Sequence, residues 1–309
     1  MLSRIAESLF WVGRYIERAE DTARILDVQF HRLLEDPWID QDDAWQNLLH
    51  VMGVQQAHEG RINTLEVCEL LAYDVTSTSS IAGAISAARD NARGVREVVP
   101  SEMWECLNAT WHGLGPEIVR ATTMGPHGLF RFVKERAAML GGLIDSSLSR
   151  DDGWRFLVLG ESLERVDMTA RMLSACSGGA TGAAGWVTTL RSCSAHEAYL
   201  RTYHRAVDAS RAAEFLLLDR LFPRSVFHAL STAEACLAEL HPVTSRSGQS
   251  NDARHALGRA RTYLEFARSD EVLEDLPLLL SRVQTLCSDA ASAVADRYFR
   301  QASAIRWTA

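Results

Sequence analysis

GRYIERAEDTARIL at residues 13–26 and GESLERVDMTARML at residues 160–173 are two spellings of one segment. Each opens on glycine, reaches Glu-Arg four residues later, carries an acid three residues after that Glu, and closes on Thr-Ala-Arg-x-Leu. Around the first copy, apolar residues recur in steps of three and four from Leu2, Ile5, Leu9 and Val12 to Phe30 and Leu33. That spacing predicts a long amphipathic helix. The second copy repeats the stripe as Phe156, Leu159, Leu163, Val166, Ala170 and Leu173.

The repetition runs past these helices. WQNLLHVMG (45–53) resembles WVTTLRSCS (186–194), and LAYDVTSTSSI (71–81) resembles LLLDRLFPRSV (216–226), pairing Asp74 with Asp219 and Ser80 with Ser225. Order and spacing are kept, as an internal repeat requires. The acidic, Pro-containing EDPWIDQDD (35–43) ends the first helix, with the next starting at Asp42 or Asp43. Helical patterning also covers 79–98, 101–120, 127–148, 196–219, 223–240, 252–269 and 275–302, with Gly- and Pro-bearing breaks at GLGPE (113–117), MGPHG (124–128), SGGATGAAG (177–185) and PVTSRSGQSND (242–252). No run shows the period-two alternation of a strand. The expectation is an all-α protein, a tandem duplication of a helical-bundle unit over 1–148 and 149–309, the halves related by pseudo-two-fold symmetry.

Composition narrows the function. The 309 residues are 47% hydrophobic and 23% charged, an ordinary folded balance. A net charge of −8 argues against nucleic acid and anionic membrane as partners. Arg4, Glu7 and Arg14 interrupt what would be the core of a signal peptide, and no run approaches the roughly 18 apolar residues of a membrane span. Six dispersed cysteines without a C-x-x-C pair read as buried thiols, so the expected location is the cytoplasm.

At about 100° per residue, Gly13, Glu17, Glu20 and Arg24 fall within about 60° of arc on the margin of the apolar face, as do Gly160, Glu164, Asp167 and Arg171. Arg18 with Thr22, and Arg165 with Thr169, flank the other margin. Partly buried carboxylates need partners, and Arg24 and Arg171 stand one turn beyond Glu20 and Asp167. The glycine one turn before each Glu admits a second helix or a small ligand. Glu17, Arg18, Glu20, Arg24, Glu164, Arg165, Asp167 and Arg171 are thus the candidate ligand- or partner-binding residues. An ion-pair network that only sets packing is the competing reading.

Other chemistry finds no support. Glu-x-x-His is absent, the nearest spacing being Asp252-x-x-His255, and Arg interleaved among the acids disfavours a cation, so no metal is expected there. There is no P-loop, G-x-S-x-G or S-x-x-K signature, and no cofactor is expected. Trp11, Trp45, Trp104 and Trp186 read as packing anchors.

MLSRIAESLFWVGRYIERAEDTARILD (1–27) closely resembles the N-terminus of the bacterial alpha-E proteins, a predicted helical domain named for its Glu-Arg motif and typically found in tandem. Residues 79–108 and FLLLDRLFPRSV (215–226) resemble the same family. The second copy differs at Glu161 for Arg14, Ser162 for Tyr15 and Met168 for Asp21. The resemblance implies a part in peptide synthesis or modification beside a circularly permuted ATP-grasp carboxylate–amine ligase, a transglutaminase-like protein and an NTN-hydrolase-type peptidase. It carries the motif onto the eight residues above. The expected role is an accessory or binding component that holds an amino acid or peptide; the alternatives are an enzyme of amide chemistry using Glu17 or Glu164 as general base, and a helical scaffold.

Overall fold

The structure is a computed structural model that describes residues 2–54, 61–177, 182–243, 246, 248–249, 251–268 and 275–299. No strand occurs among them, so the protein is all-α. The helices are α1 (Ser3–Glu35), α2 (Gln41–Val51), α3 (Thr64–Cys68), α4 (Ile81–Arg93), α5 (Ser101–Met124), α6 (His127–Ser147), α7 (Asp152–Ser177), α8 (Ala183–Ser192), α9 (His196–Tyr203), α10 (Ala209–Leu218), α11 (Val226–Leu240), α12 (Asp252–Phe266) and α13 (Leu276–Val294). π-helical turns follow α3 at Glu69–Tyr73 and α13 at Ala295–Phe299.

The two helices that carry the repeated segment form the central pair, α1 lying against α7. On one side α1 packs with α4 and α6, which hold α5; on the other α7 packs with α11 and α13, which hold α12. The shorter α8 touches α1, and α2 touches α7, so each central helix is also covered from the distant part of the chain. A single apolar cluster runs from Ile5 to Phe299 through both sides.

Glycine sets the distance between the central helices. A Cβ on Gly13 would overlap the carbonyl oxygen of Leu157, and one on Gly160 would overlap that of Phe10. Backbone meets backbone there, which only glycine permits. The segments at Asp74 and Asp219 also fold alike. The hydroxyls of Ser80 and Ser225 accept from the backbone N–H of Gly83 and His228, capping α4 and α11, and donate back to the carbonyls of Asp74 and Asp219.

Local differences from the sequence reading have physical causes. Helix α5 runs straight through GLGPE, because Leu107, Leu114 and Ala121 continue one buried face and the Phe132 ring fills the space beside Gly113. The span 196–219 breaks into α9 and α10: His204 adopts a left-handed conformation (φ 50°), and Asp208 caps α10 by accepting from the Arg211 N–H. Helix α4 is shorter than 79–98, passing into turns after Arg93, and α8 begins inside the stretch 177–185. Within that stretch residues 178–181 lie outside the described residues, as do 300–302 and parts of 242–252 and 269–275. Trp45 and Trp186 are buried, while Trp11 and Trp104 pack on the cluster more openly. All six cysteines are free and buried.

Candidate functional site

The Glu-Arg steps of α1 and α7 pair with each other, not with solvent. Arg165 donates to Glu17 through Nε (2.7 Å) and Nη2 (2.8 Å), and Arg18 donates to Glu164 through Nε (2.5 Å) and Nη2 (3.0 Å). Each motif gives its carboxylate to the other helix and takes that helix's carboxylate in return. Both are two-pronged, the geometry in which Arg binds carboxylate most strongly. Glu17 and Glu164 are each only 2% exposed. These four candidate residues are therefore committed to one another across the α1–α7 contact.

The two crossings differ in their surroundings because the copies differ in sequence. Glu164 also accepts from Arg14 Nε at 2.7 Å. Where α7 has Glu161 in place of Arg14, that acid instead takes Arg165 Nη2 at 2.5 Å. Asp21, which α7 replaces with Met168, joins Glu17 and Glu20 on one guanidinium, that of Arg224, at 2.5, 2.8 and 2.8 Å. The crossing at Glu17 is thus the acid-rich one, with Glu17, Glu20, Asp21 and Glu161 around Arg24, Arg165 and Arg224.

Arg224 is the member of this charged cluster that patterning along the helices missed. It lies in the turn between Asp219 and the Ser225 cap, where no periodicity marks it, and Thr169 fixes that turn by donating to the Arg224 carbonyl at 3.2 Å.

Electrostatics follow from this packing. Burial pushes Glu17 upward, but Arg165 and Arg224 outweigh it and hold the carboxyl at about 2. Glu164 is likewise burdened by burial and brought below its ordinary value by Arg18 and Arg14. For Asp21, burial together with Glu17 and Glu20 overcomes the opposing pull of the shared Arg224, raising it to about 7. Both groups with lowered values stabilise the fold above the ordinary carboxylate range and lose that contribution as pH falls through their folded pKa.

Asp21 runs the other way. The native state keeps a proton that the unfolded chain releases above its ordinary 3.8, so stability falls as pH rises from about 4 to about 7. Asp21→Asn removes this slope. In urea unfolding, the variant is expected to compare more favourably with the parent at pH 8 than at pH 5; an equal difference at both would contradict the assignment.

The outer members of each stripe are less enclosed. Arg24 bonds Glu20 and, at 3.1 Å, the Ser194 hydroxyl, and Arg171 bonds Asp167 at 2.8 Å and the Val51 carbonyl at 3.2 Å. Asp167 and Arg171, with Glu7, Trp11 and Arg14, line a cavity of about 450 Å3 bounded by α1, α7 and α13. Gln284 of α13 reaches Asp167 at 3.3 Å. Arg24 borders a more open cleft of about 650 Å3 with Lys134, Arg191 and His196.

A cluster that the sequence reading did not identify lies further along α1. Asp27 sits between His127, Lys134 and His31, its nearest oxygens 2.6, 2.5 and 3.7 Å from them. The Asp27-x-x-x-His31 spacing was its only local sign. Among the described residues, no helix is long and apolar enough to cross a membrane.

The Alpha-E family, described as a predicted alpha-helical domain with a conserved ER motif, matches residues 1–299. Uncharacterized proteins of Mycobacterium bovis and of Mycobacterium tuberculosis are 25% identical over 278 residues, 81% of this chain and 31% of each relative. A second Mycobacterium tuberculosis strain has one that is 24% identical over the same share. The chain therefore spans about a third of the length of these relatives. No solved structure matches. With its family's Glu-Arg step present in both central helices, the chain belongs to the Alpha-E family.

Proposed function

We propose that the protein is an accessory, binding component of a bacterial peptide synthesis or modification system, built from two repeat units, 1–148 and 149–309, and acting in the cytoplasm. Its partners would be a circularly permuted ATP-grasp ligase and a transglutaminase-like protein. It would hold an amino acid or peptide at the outer ends of the Glu/Arg stripes, while the inner pairs set the frame.

The observation that carries the reading is the cavity lined by both signs of charge. Its lining includes Arg14 and Arg171, already bonded through Nε to Glu164 and Asp167, together with the acids Glu7 and Asp167 and the indole of Trp11. Such a site suits a zwitterion, the carboxylate on Arg and the ammonium on Glu or Asp. The greater length of the relatives fits a domain that works joined to, or beside, others. Family resemblance supplies the identity of the partners. The enzymatic alternative has less support, since Glu17, at about 2, and Glu164, likewise lowered by its arginines, are weak bases that are each buried against the other helix.

The inner crossings favour the scaffold reading for Glu17, Arg18, Glu164 and Arg165 alone. A pull-down with a circularly permuted ATP-grasp ligase from the same cells, with calorimetry against free amino acids and dipeptides, tests the proposal. The expected results are retention of the ligase, and binding that Arg171→Gln weakens about tenfold, the loss of one charge-assisted contact. Absence of both ligase retention and amino-acid or dipeptide binding would remove the reading.

A further inference from the structure

We propose that Asp27, His31 and His127 form a binding site for a divalent transition cation of the zinc class. Asp27 and His31 stand one turn apart on α1, and His127 is the first residue of α6, so the α1–α6 packing assembles the set. Asp27 Oδ1 lies 2.6 Å from His127 Nδ1 and 3.7 Å from His31 Nε2, and the three donor atoms all lie within 4.8 Å of one another. Donors bound to one zinc ion at about 2.0–2.1 Å stand roughly 3.3 Å apart, so entry of a cation requires only a small opening of the Asp27–His127 hydrogen bond and release of its proton.

The donor set speaks to the type of metal. Two imidazoles and one carboxylate favour zinc and its neighbours over magnesium or calcium, which seek oxygen. The carboxylate is held firmly: Asp27 is nearly buried, and Lys134, the chain's only lysine, takes its other oxygen at 2.5 Å, leaving Oδ1 for the cation. Such an outer hydrogen bond orients a ligating carboxylate. Both imidazoles are more than half exposed, so a fourth coordination position opens to solvent. The ammonium of Lys134 repels a cation, which limits affinity and supplies a discriminating variant.

The six thiols are buried and do not compete for added metal. Calorimetric titration of the metal-free full chain with Zn2+ should show one-to-one binding. His31→Ala and His127→Ala are each expected to weaken it about tenfold or more, and Lys134→Gln to strengthen it by roughly severalfold. Both histidines are surface residues, so these variants keep the fold. Co2+ should give a visible absorption band that the double histidine variant lacks. No stoichiometric uptake, or uptake and a cobalt band unchanged in the double variant, would overturn the assignment.

Discussion

Glu164→Ala is expected to lower the free energy of unfolding by about 3–5 kcal/mol, the cost of leaving a buried ionic group without its partner. The carboxylate is 2% exposed and receives Arg18 through two nitrogens and Arg14 through a third. Its removal strands two guanidinium groups that burial and mutual repulsion then penalise together. Against a typical total of about 5–15 kcal/mol, such a loss is a large fraction, so urea unfolding is best read at low temperature. Replacing the pair with apolar side chains, Arg18→Met with Glu164→Leu, should cost less, because only Arg14, which is partly exposed, is then left without its carboxylate. A single variant that unfolds within about 1 kcal/mol of the parent would show that the exchange contributes little, as exposed pairs do.

The second large effect concerns the point where α1 and α7 meet. Gly13→Ala places a methyl group on the Leu157 carbonyl oxygen, and Gly160→Ala places one on that of Phe10. Neither obstacle is a flexible side chain. The central helices must separate, loosening the apolar seam and the nearby Glu17–Arg165 and Glu164–Arg18 bonds, at about 3 kcal/mol or more. Gly141 in α6 is the control, since a Cβ there meets nothing and Ala favours a helix by up to about 1 kcal/mol. Thermal unfolding of the three variants should therefore give two large decreases and no decrease for Gly141→Ala.

Features that depend on near neighbours in the chain could be read from sequence. The three-and-four spacing announced α1 and α7, and the Glu20–Arg24 and Asp167–Arg171 pairs followed from helical geometry. Ser80 and Ser225 stood out as a repeated pair, and the structure shows that each caps a helix. The exchange between Glu17–Arg18 and Glu164–Arg165 depends on which face of α1 meets α7, a tertiary fact that no local pattern carries. For the same reason Arg14 and Glu161, seen in sequence only as a difference between copies, emerge as the residues that tip one crossing toward base and the other toward acid. Arg224 and the Asp27–His127 contact join residues from separate elements and leave no periodic trace. Pro116 misled in the opposite sense, since a helix with a strong buried face tolerates one missing N–H.

The account rests on the reciprocal exchange of carboxylate and guanidinium between the central helices, and a double-mutant cycle on Arg18 and Glu164 tests it most directly. Unfolding free energies of Arg18→Ala, Glu164→Ala and the double variant should yield a coupling energy of about 1.5–3 kcal/mol, with the double variant losing clearly less than the sum of the single ones. Additivity within about 0.3 kcal/mol would contradict the pairing and reduce the two Glu-Arg steps to independent charges on neighbouring helices.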